Sequence, residues 1–231
     1  MGAMSPERVR VIVVGMITFI LSVAVHEFGH AYVADRFGDR LPRAQGRVTL
    51  NPLAHADPLG TLLLPFILLA TTGNLGFAWG KPVMHTTHDR KRRLFISIAG
   101  PSMNVVLALL VSLVTVALIR AGVIPTVTGD LSFKSTHITD LLALVVFLNF
   151  ILFFFNLIPA NPLDGGSVVR GLIPEGWVDA WDEYARYGPF VLLAILMIPQ
   201  VQVVFWRPAL FCTAWAFNTF GSLFGLPHMF P

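Results

Sequence analysis

Long apolar runs divide this chain. From Val9 to Val33 the side chains are almost all apolar, and polar character enters mainly at His26-Glu27-Phe28-Gly29-His30. Further apolar runs cover Leu59 to Ala70, Leu94 to Ile119, Ile138 to Ile158, Pro189 to Trp206 and Pro208 to Leu226, with Pro199-Gln200 interrupting the fourth of these. A helix needs about 20 apolar residues to cross a bilayer. The run from Leu59 to Ala70 has only 12 and is closed by Thr71-Thr72-Gly73-Asn74. The pattern predicts an all-α polytopic membrane protein with about five transmembrane helices. Trp177, Trp181 and Tyr184 recur at helical spacing with Asp179, Asp182 and Glu183 between them. That is the pattern of an amphipathic helix lying in the membrane interface, over residues 173–187. It separates a core over 1–172 from C-terminal transmembrane helices over 188–231.

Composition agrees with a membrane setting. Hydrophobic residues make up 55% of the 231, charged residues 13%, and the mean hydropathy is +0.71. Soluble domains carry about 25% charged residues. A net charge of +3 in so apolar a chain excludes nucleic acid as a partner and makes the bilayer the chief one. The basic residues read instead as topology signals. The single cysteine, Cys212, excludes an internal disulfide and a cysteine-cluster metal site. Arg8 and Arg10 before an apolar run, with Ser22-Val23-Ala24 inside it, loosely resemble a secretory signal. Cleavage there would strip the helix from the His-Glu pair, and the run continues to Val33, so a retained first span is expected.

The polar residues in the first span carry the candidate chemistry. On a helix His26 and His30 lie one turn apart on one face and can share a metal ion. Glu27 stands beside them as a general base for water activated by that metal. An ionisable side chain at the centre of a membrane helix costs about 2.5–3.5 kcal/mol on insertion scales, and three within five residues need compensation. A zinc ion, one per chain, supplies it. A catalytic zinc takes three protein ligands. The extended metzincin pattern would require His at position 36, where this chain has Arg36. Other candidates for the third ligand are His55, Asp57, His85, His88, Asp140 and Asp164. Asp164 is the best placed. It follows the span ending near Ile158, in a stretch where Pro159 and Pro162 break the helix and Gly165-Gly166 allow close turning. Such a segment can offer a carboxylate at membrane depth while lining a cavity.

Taken together, His26-Glu27-Phe28-Gly29-His30, the Gly-x-x-x-Asn pattern from Gly100 to Asn104 and Asn156…Pro162-Leu163-Asp164-Gly165 resemble the site-2 protease family of intramembrane zinc metalloproteases, in the family's order. The stretches Asn51 to Gly60 and Gly80-Lys81-Pro82-Val83 look like its compact bacterial branch, without PDZ or CBS modules. The resemblance covers roughly residues 10–172. It implies that His26, His30 and Asp164 are zinc ligands, that Glu27 is the catalytic base and that Asn156 holds the substrate near the zinc or stabilises the oxyanion. The substrate class it implies is a membrane-spanning protein, cut within its transmembrane segment in regulated intramembrane proteolysis. His55, Asp57 and Asn104 are candidates for support of the site. His55 and Asp57 read equally well as turn residues, and Gly100 with Asn104 as a close-packing helix pair. His85 and His88 read as solvated.

The ligand set constrains topology. His30 and Asp164 must meet at one depth, so an even number of crossings separates them. Three apolar runs lie between, and the short run from Leu59 to Ala70 is expected to be re-entrant, returning through Gly73 to Val83. Eleven of the 16 Lys and Arg residues then gather on one side. The positive-inside rule makes that side, and the active site near it, cytosolic, in a bacterial inner membrane. A substrate helix shields its own peptide bonds, so capture by strand addition is expected, with Gly46 to Leu50 and Leu75 to Trp79 as candidate strands of a small membrane-associated β element. The alternative from another class is a non-proteolytic membrane protein, such as a metal transporter or a substrate-binding pseudoprotease. The intact Glu27 and the clustering of ionisable residues at one depth speak against it.

Overall fold

The computed structural model describes residues 5–73, 75 and 78–230. The chain opens with α1 (Pro6–Arg36), whose start is fixed by Ser5 accepting the Arg8 N–H at 3.3 Å and by Pro6 in the first turn. Two short helices follow, α2 (Leu41–Ala44) and α3 (Pro52–His55). A π-helical turn (Pro58–Leu63) then leads into α4 (Leu64–Thr72), and α5 (Arg90–Arg120) comes next. After α6 (Ile138–Asn156) the chain breaks at the two prolines and re-forms as α7 (Asp164–Leu172). A 3-10 turn (Glu175–Trp177) precedes α8 (Val178–Ala185). The C-terminal part is α9 (Gly188–Met197) and α10 (Pro199–Leu223). Helix α5 is the hub, packing against α1, α6, α7 and α10.

Among the described residues, three helices are long and apolar enough to cross a membrane: α1, α5 and α6. A fourth span results only if α9 and α10 count as one, bent by 82° at their junction. The expected count of about five is therefore not met. The C-terminal break falls at Ile198, whose backbone is extended ahead of Pro199, while Pro208 sits inside α10. Helix α9, at 10 residues, rises about 15 Å and is too short to cross alone.

The segment from Pro58 to Thr72 is a short apolar helix, below the length needed to cross alone. Asp57 caps its start, accepting the N–H groups of Leu59 and Gly60, and Gly73 ends it in the left-handed conformation at φ 76°. Residues 79–81 lie back against its start. Trp79 donates its N–H to Gly60 O at 3.2 Å, Thr61 Oγ1 donates to Trp79 O at 2.8 Å, and Lys81 N–H reaches His55 O at 3.0 Å. The ends of α1 and the start of α5 consequently meet: Thr86 N–H donates to Asp39 Oδ2, and Arg92 to Phe37 O at 3.4 Å. Burial raises the Asp39 carboxyl, but the N–H groups of Thr86 and Leu41 outweigh it and hold the group below the usual carboxylate range. The end of α7 joins this face through Arg90, which donates to Arg170 O at 2.8 Å and Ile173 O at 2.6 Å. At the other end, Arg10 donates to Ser135 O at 2.7 Å, just before α6.

Among the described residues there is no strand. Gly46 to Leu50 forms turns and bends instead. Gly46 has φ 68°, and the Arg47 side chain turns inward, 4% exposed, to hold the carbonyls of Ala54, Lys81 and Pro82. A buried cation serving three carbonyls leaves no edge to pair. Of the second candidate, Gly76 and Phe77 lie outside the described residues; Ala78 and Trp79 have no regular secondary structure. The interfacial stretch is helical over α8, with Trp177 68% exposed and Arg170 paired bidentately to Asp182 at 2.7 and 2.8 Å.

Single cysteines at Arg40, Lys91 and Asp130, on a Cys212→Ser background, test this path through the membrane. Impermeant labelling from one side should mark positions 40 and 91 together and position 130 from the other. Labelling of 40 and 91 from opposite sides would make the Pro58–Thr72 segment a crossing.

Candidate metal centre

Helix α1 presents His26 and His30 toward α5 and α7. Their Nε2 atoms are 3.0 Å apart, and Asp164 Oδ2 lies 3.2 Å from the first and 3.3 Å from the second. Among the described residues, these are the His, Cys, Asp and Glu side chains that converge as a possible metal site. The histidines are 8% and 9% exposed.

The proton positions in this cluster follow from what surrounds it. His30 Nδ1 lies 2.7 Å from Ile96 O, which can only accept, so Nδ1 carries the hydrogen. His26 Nδ1 lies 2.7 Å from Asn104 Oδ1 and is likewise the donor. Neutral rings then expose bare Nε2 lone pairs, aimed at each other and at a carboxylate oxygen. Asp164 Oδ2 is buried and has no hydrogen-bond partner. Three electron pairs this close repel unless a cation sits among them. Ligand atoms 2.0–2.1 Å from a tetrahedral zinc stand about 3.3 Å apart, close to the observed edges. Two imidazoles and one carboxylate are also a donor set that zinc accepts.

Close packing places the ligands. A Cβ on Gly100 would sit 2.2 Å from His30 Nε2, so the first residue of the Gly-x-x-x-Asn pattern makes room for the ligand ring and the last one orients its neighbour. The close-packing reading of this pair covered only part of its role. Asp164 opens α7 directly against the end of α6: a Cβ on Gly165 would sit 2.3 Å from Ile158 O and 2.4 Å from Leu157 O. Any side chain there would push Asp164 away from the histidines.

Glu27 is 8% exposed, and its Oε2 accepts the Val83 N–H at 3.2 Å, so the stretch before α5 lies across it. Asn156 is the last residue of α6, partly buried, with one N–H given to Leu152 O at 2.9 Å. The other sequence candidates are not in the cluster. His55 is 1% exposed and uses Nε2 to hold Thr49 O at 2.8 Å; burial pushes its pKa down. Asp57 is a helix cap. Asp140 is fully buried among Thr128 and Ser135 before α6. His85 and His88 stand outside the cluster in the stretch before α5. Two participants went unnoticed in the sequence, Ser22 and Asn149, which meet Asn104 in the interior. The signal was there: Asn149 is the lone amide within the apolar run Leu141 to Phe155.

The profile of peptidase family M50 matches residues 14–198. A Bacillus subtilis protein named "Putative zinc metalloprotease YwhC" is 37% identical over 195 residues, covering 83% of this chain and 83% of its own. A Mycolicibacterium smegmatis protein named "Putative zinc metalloprotease Rip2" is 32% identical over 195 residues, covering 81% of this chain and 70% of its own. "Zinc metalloprotease MJ0392" of Methanocaldococcus jannaschii is 25% identical over 183 residues, 78% of this chain and 41% of its own. No solved structure matches the chain significantly.

Gly100→Ala should therefore lower zinc affinity at least tenfold by displacing the His30 ring, with helix content unchanged. Zinc competition against a chelator, alongside circular dichroism, checks this; unaltered affinity would mean that the ring has room elsewhere.

Proposed function

Because the chain belongs to peptidase family M50, a family of metalloproteases, we propose that it is a zinc-dependent intramembrane endopeptidase cutting a transmembrane segment of a membrane-anchored protein. The observation that carries this reading is the convergence of two bare Nε2 lone pairs and an unpartnered carboxylate oxygen within 3.3 Å, buried among apolar helices. His26, His30 and Asp164 would hold one zinc per chain. When bound, zinc acts as a Lewis acid on a carbonyl and makes water acidic enough to lose a proton near neutral pH.

The protein's own part is proton handling and positioning. Glu27 is next to His26 on α1, and its carboxylate takes the proton from the attacking water and returns it to the departing amide nitrogen. Val83 N–H on Oε2 holds that carboxylate in place. Asn156, with one N–H spent on Leu152 O, has its second N–H and its Oδ1 for the substrate backbone or the developing oxyanion.

Substrate capture is the second requirement, since a helical peptide bond is shielded by its own hydrogen bonds. The stretch from Trp79 to Val83, which has no regular secondary structure and runs beside Glu27, is the candidate for capturing substrate by strand addition. Trp79 and Lys81 turn their N–H groups to Gly60 and His55. Gly80 between them packs against α1, where a Cβ would sit 2.5 Å from Val23 Cγ1 and 3.1 Å from Glu27 Oε1. Its lack of a side chain lets the backbone lie directly beside Glu27. Arg47, by holding the Lys81 and Pro82 carbonyls at 3.2 and 3.1 Å, keeps this edge fixed. The basic residues gather at the same end of the bundle as α2, α3 and the start of α5, which supports a cytosolic orientation for the site in a bacterial inner membrane.

Cleavage of a membrane-spanning reporter by purified protein, with zinc measured on the same samples, tests the assignment. Glu27→Gln should abolish cleavage and keep about one zinc per chain, whereas His26→Ala, His30→Ala and Asp164→Ala should lose both. Full zinc in Asp164→Ala would move the third ligand elsewhere.

The substrate's conformation gives a separate check. Replacing Gly or Pro near the scissile bond by Leu should slow cleavage, because each change restores roughly 1 kcal/mol or more of helix preference. Arg47→Lys should slow it as well, with zinc retained. Rates indifferent to both changes would rule out strand addition and leave the metal chemistry standing.

A further inference from the structure

His26 can offer Nε2 to a metal only if its hydrogen sits on Nδ1, and that requires an acceptor at the Asn104 position facing it. A side-chain amide can present either end. Turned over, Asn104 would aim its NH2 at His26, move the ring hydrogen to Nε2 and abolish the ligand. The orientation of this one amide therefore decides whether the site exists.

Its surroundings fix it. Asn104 Nδ2 lies 3.2 Å from Ser22 O and 2.8 Å from Asn149 Oδ1. Asn149 Nδ2 in turn lies 2.9 Å from Val145 O and 3.0 Å from Ser22 Oγ. Backbone carbonyls only accept. Val145 O thus forces the NH2 of Asn149 toward itself, which turns Asn149 Oδ1 toward Asn104. Ser22 O and Asn149 Oδ1 together take both hydrogens of Asn104, and its Oδ1 is left for His26. Asn104 and Asn149 are 0% exposed and Ser22 is 1% exposed, so water is not at hand to substitute for a lost partner. Every amide donor and acceptor of the two asparagines is used once the chain of bonds runs in this direction.

We infer that Asn149, acting through Asn104, is a positioning residue that sets the ring tautomer of His26 and so the metal affinity of the site. The inference rests on the zinc reading given above. A different role is open to an asparagine in a membrane helix, namely holding α6 to α1 and α5 by interhelical hydrogen bonds. That role would change stability and leave the affinity of the folded protein alone. Residues that orient a metal-bound histidine change affinity by about 10–100-fold.

The experiment uses the full chain in detergent, with zinc competition against a chromophoric chelator. Asn149→Leu should bind zinc at least tenfold more weakly than wild type. Asn104→Leu should lose as much or more, and the double variant should be no weaker than Asn104→Leu alone, since Asn149 has no path to His26 once Asn104 is gone. Losses that multiply in the double variant, or an Asn149→Leu affinity equal to wild type, would overturn the inference. Nitrogen-15 spectra of histidine-labelled, zinc-free protein give a readout that survives any folding defect in the variants. The His26 ring, assigned through His26→Ala, should carry its hydrogen on Nδ1 in wild type. A ring without hydrogen on Nδ1 there would overturn the inference directly. The underlying reading fails in a different way: zinc bound by wild type and retained by His26→Ala would remove the metal site itself, and the positioning role with it.

Discussion

Three unshared electron pairs meet in the interior of this bundle, and much of the surrounding structure exists to make that meeting tolerable. In an apolar interior the repulsion between two ring nitrogens and a carboxylate has no solvent to screen it. A cation relieves it, provided each ring carries its hydrogen on the far side. The protein meets that condition with a backbone carbonyl at Ile96 and a side-chain amide at Asn104. Neither acceptor is charged, so in the function proposed both Nε2 atoms and the negative charge of Asp164 face the place where a metal would sit.

Depth is the second consequence of the same constraint. Two ligands come from the first span and one from a helix that begins after two further spans, yet all three must share one level. Between them lies a short apolar helix, and the chain that follows it bonds back to its start through Trp79, Thr61 and Lys81. That returning chain also meets α1, because Val83 reaches Glu27 and Gly80 passes close beside it. A buried Arg47 anchors it through carbonyl groups. Fold and function are therefore coupled through a segment that would look, by length alone, like a failed transmembrane helix.

Glycine has a particular place in this arrangement. Metal ligands on different helices can approach within about 3 Å only where the backbones themselves come close. Gly100 gives up a side chain so that the His30 ring can occupy its space, and Gly165 does the same so that α7 can start against the carbonyls ending α6. Each is a position where volume, rather than conformational freedom, is the limiting quantity.

Much of this was legible in the sequence. The spacing of His26 and His30 on an apolar helix, with Glu27 beside them, follows from helical periodicity and from the cost of ionisable groups in hydrocarbon. Parity gave the expectation of a re-entrant segment, and the run it singled out is a helix too short to cross alone. Asp164 was legible because prolines and glycines surround it. Other features needed the tertiary structure. The C-terminal break lies at Ile198 rather than at Pro208, since a proline is tolerated within a membrane helix when neighbours accommodate it, and local pattern does not report neighbours. The residues 46–50 look like a strand, yet the inward turn of Arg47 toward carbonyls more than thirty residues away makes them a turn. Asn149 was visible as an amide in an apolar run, but its meaning depends on which way Asn104 faces, and that is settled by carbonyls on two other helices. Periodicity and cost are properties of one segment and can be read along the chain; the direction of a hydrogen bond between segments arises only when they are packed together.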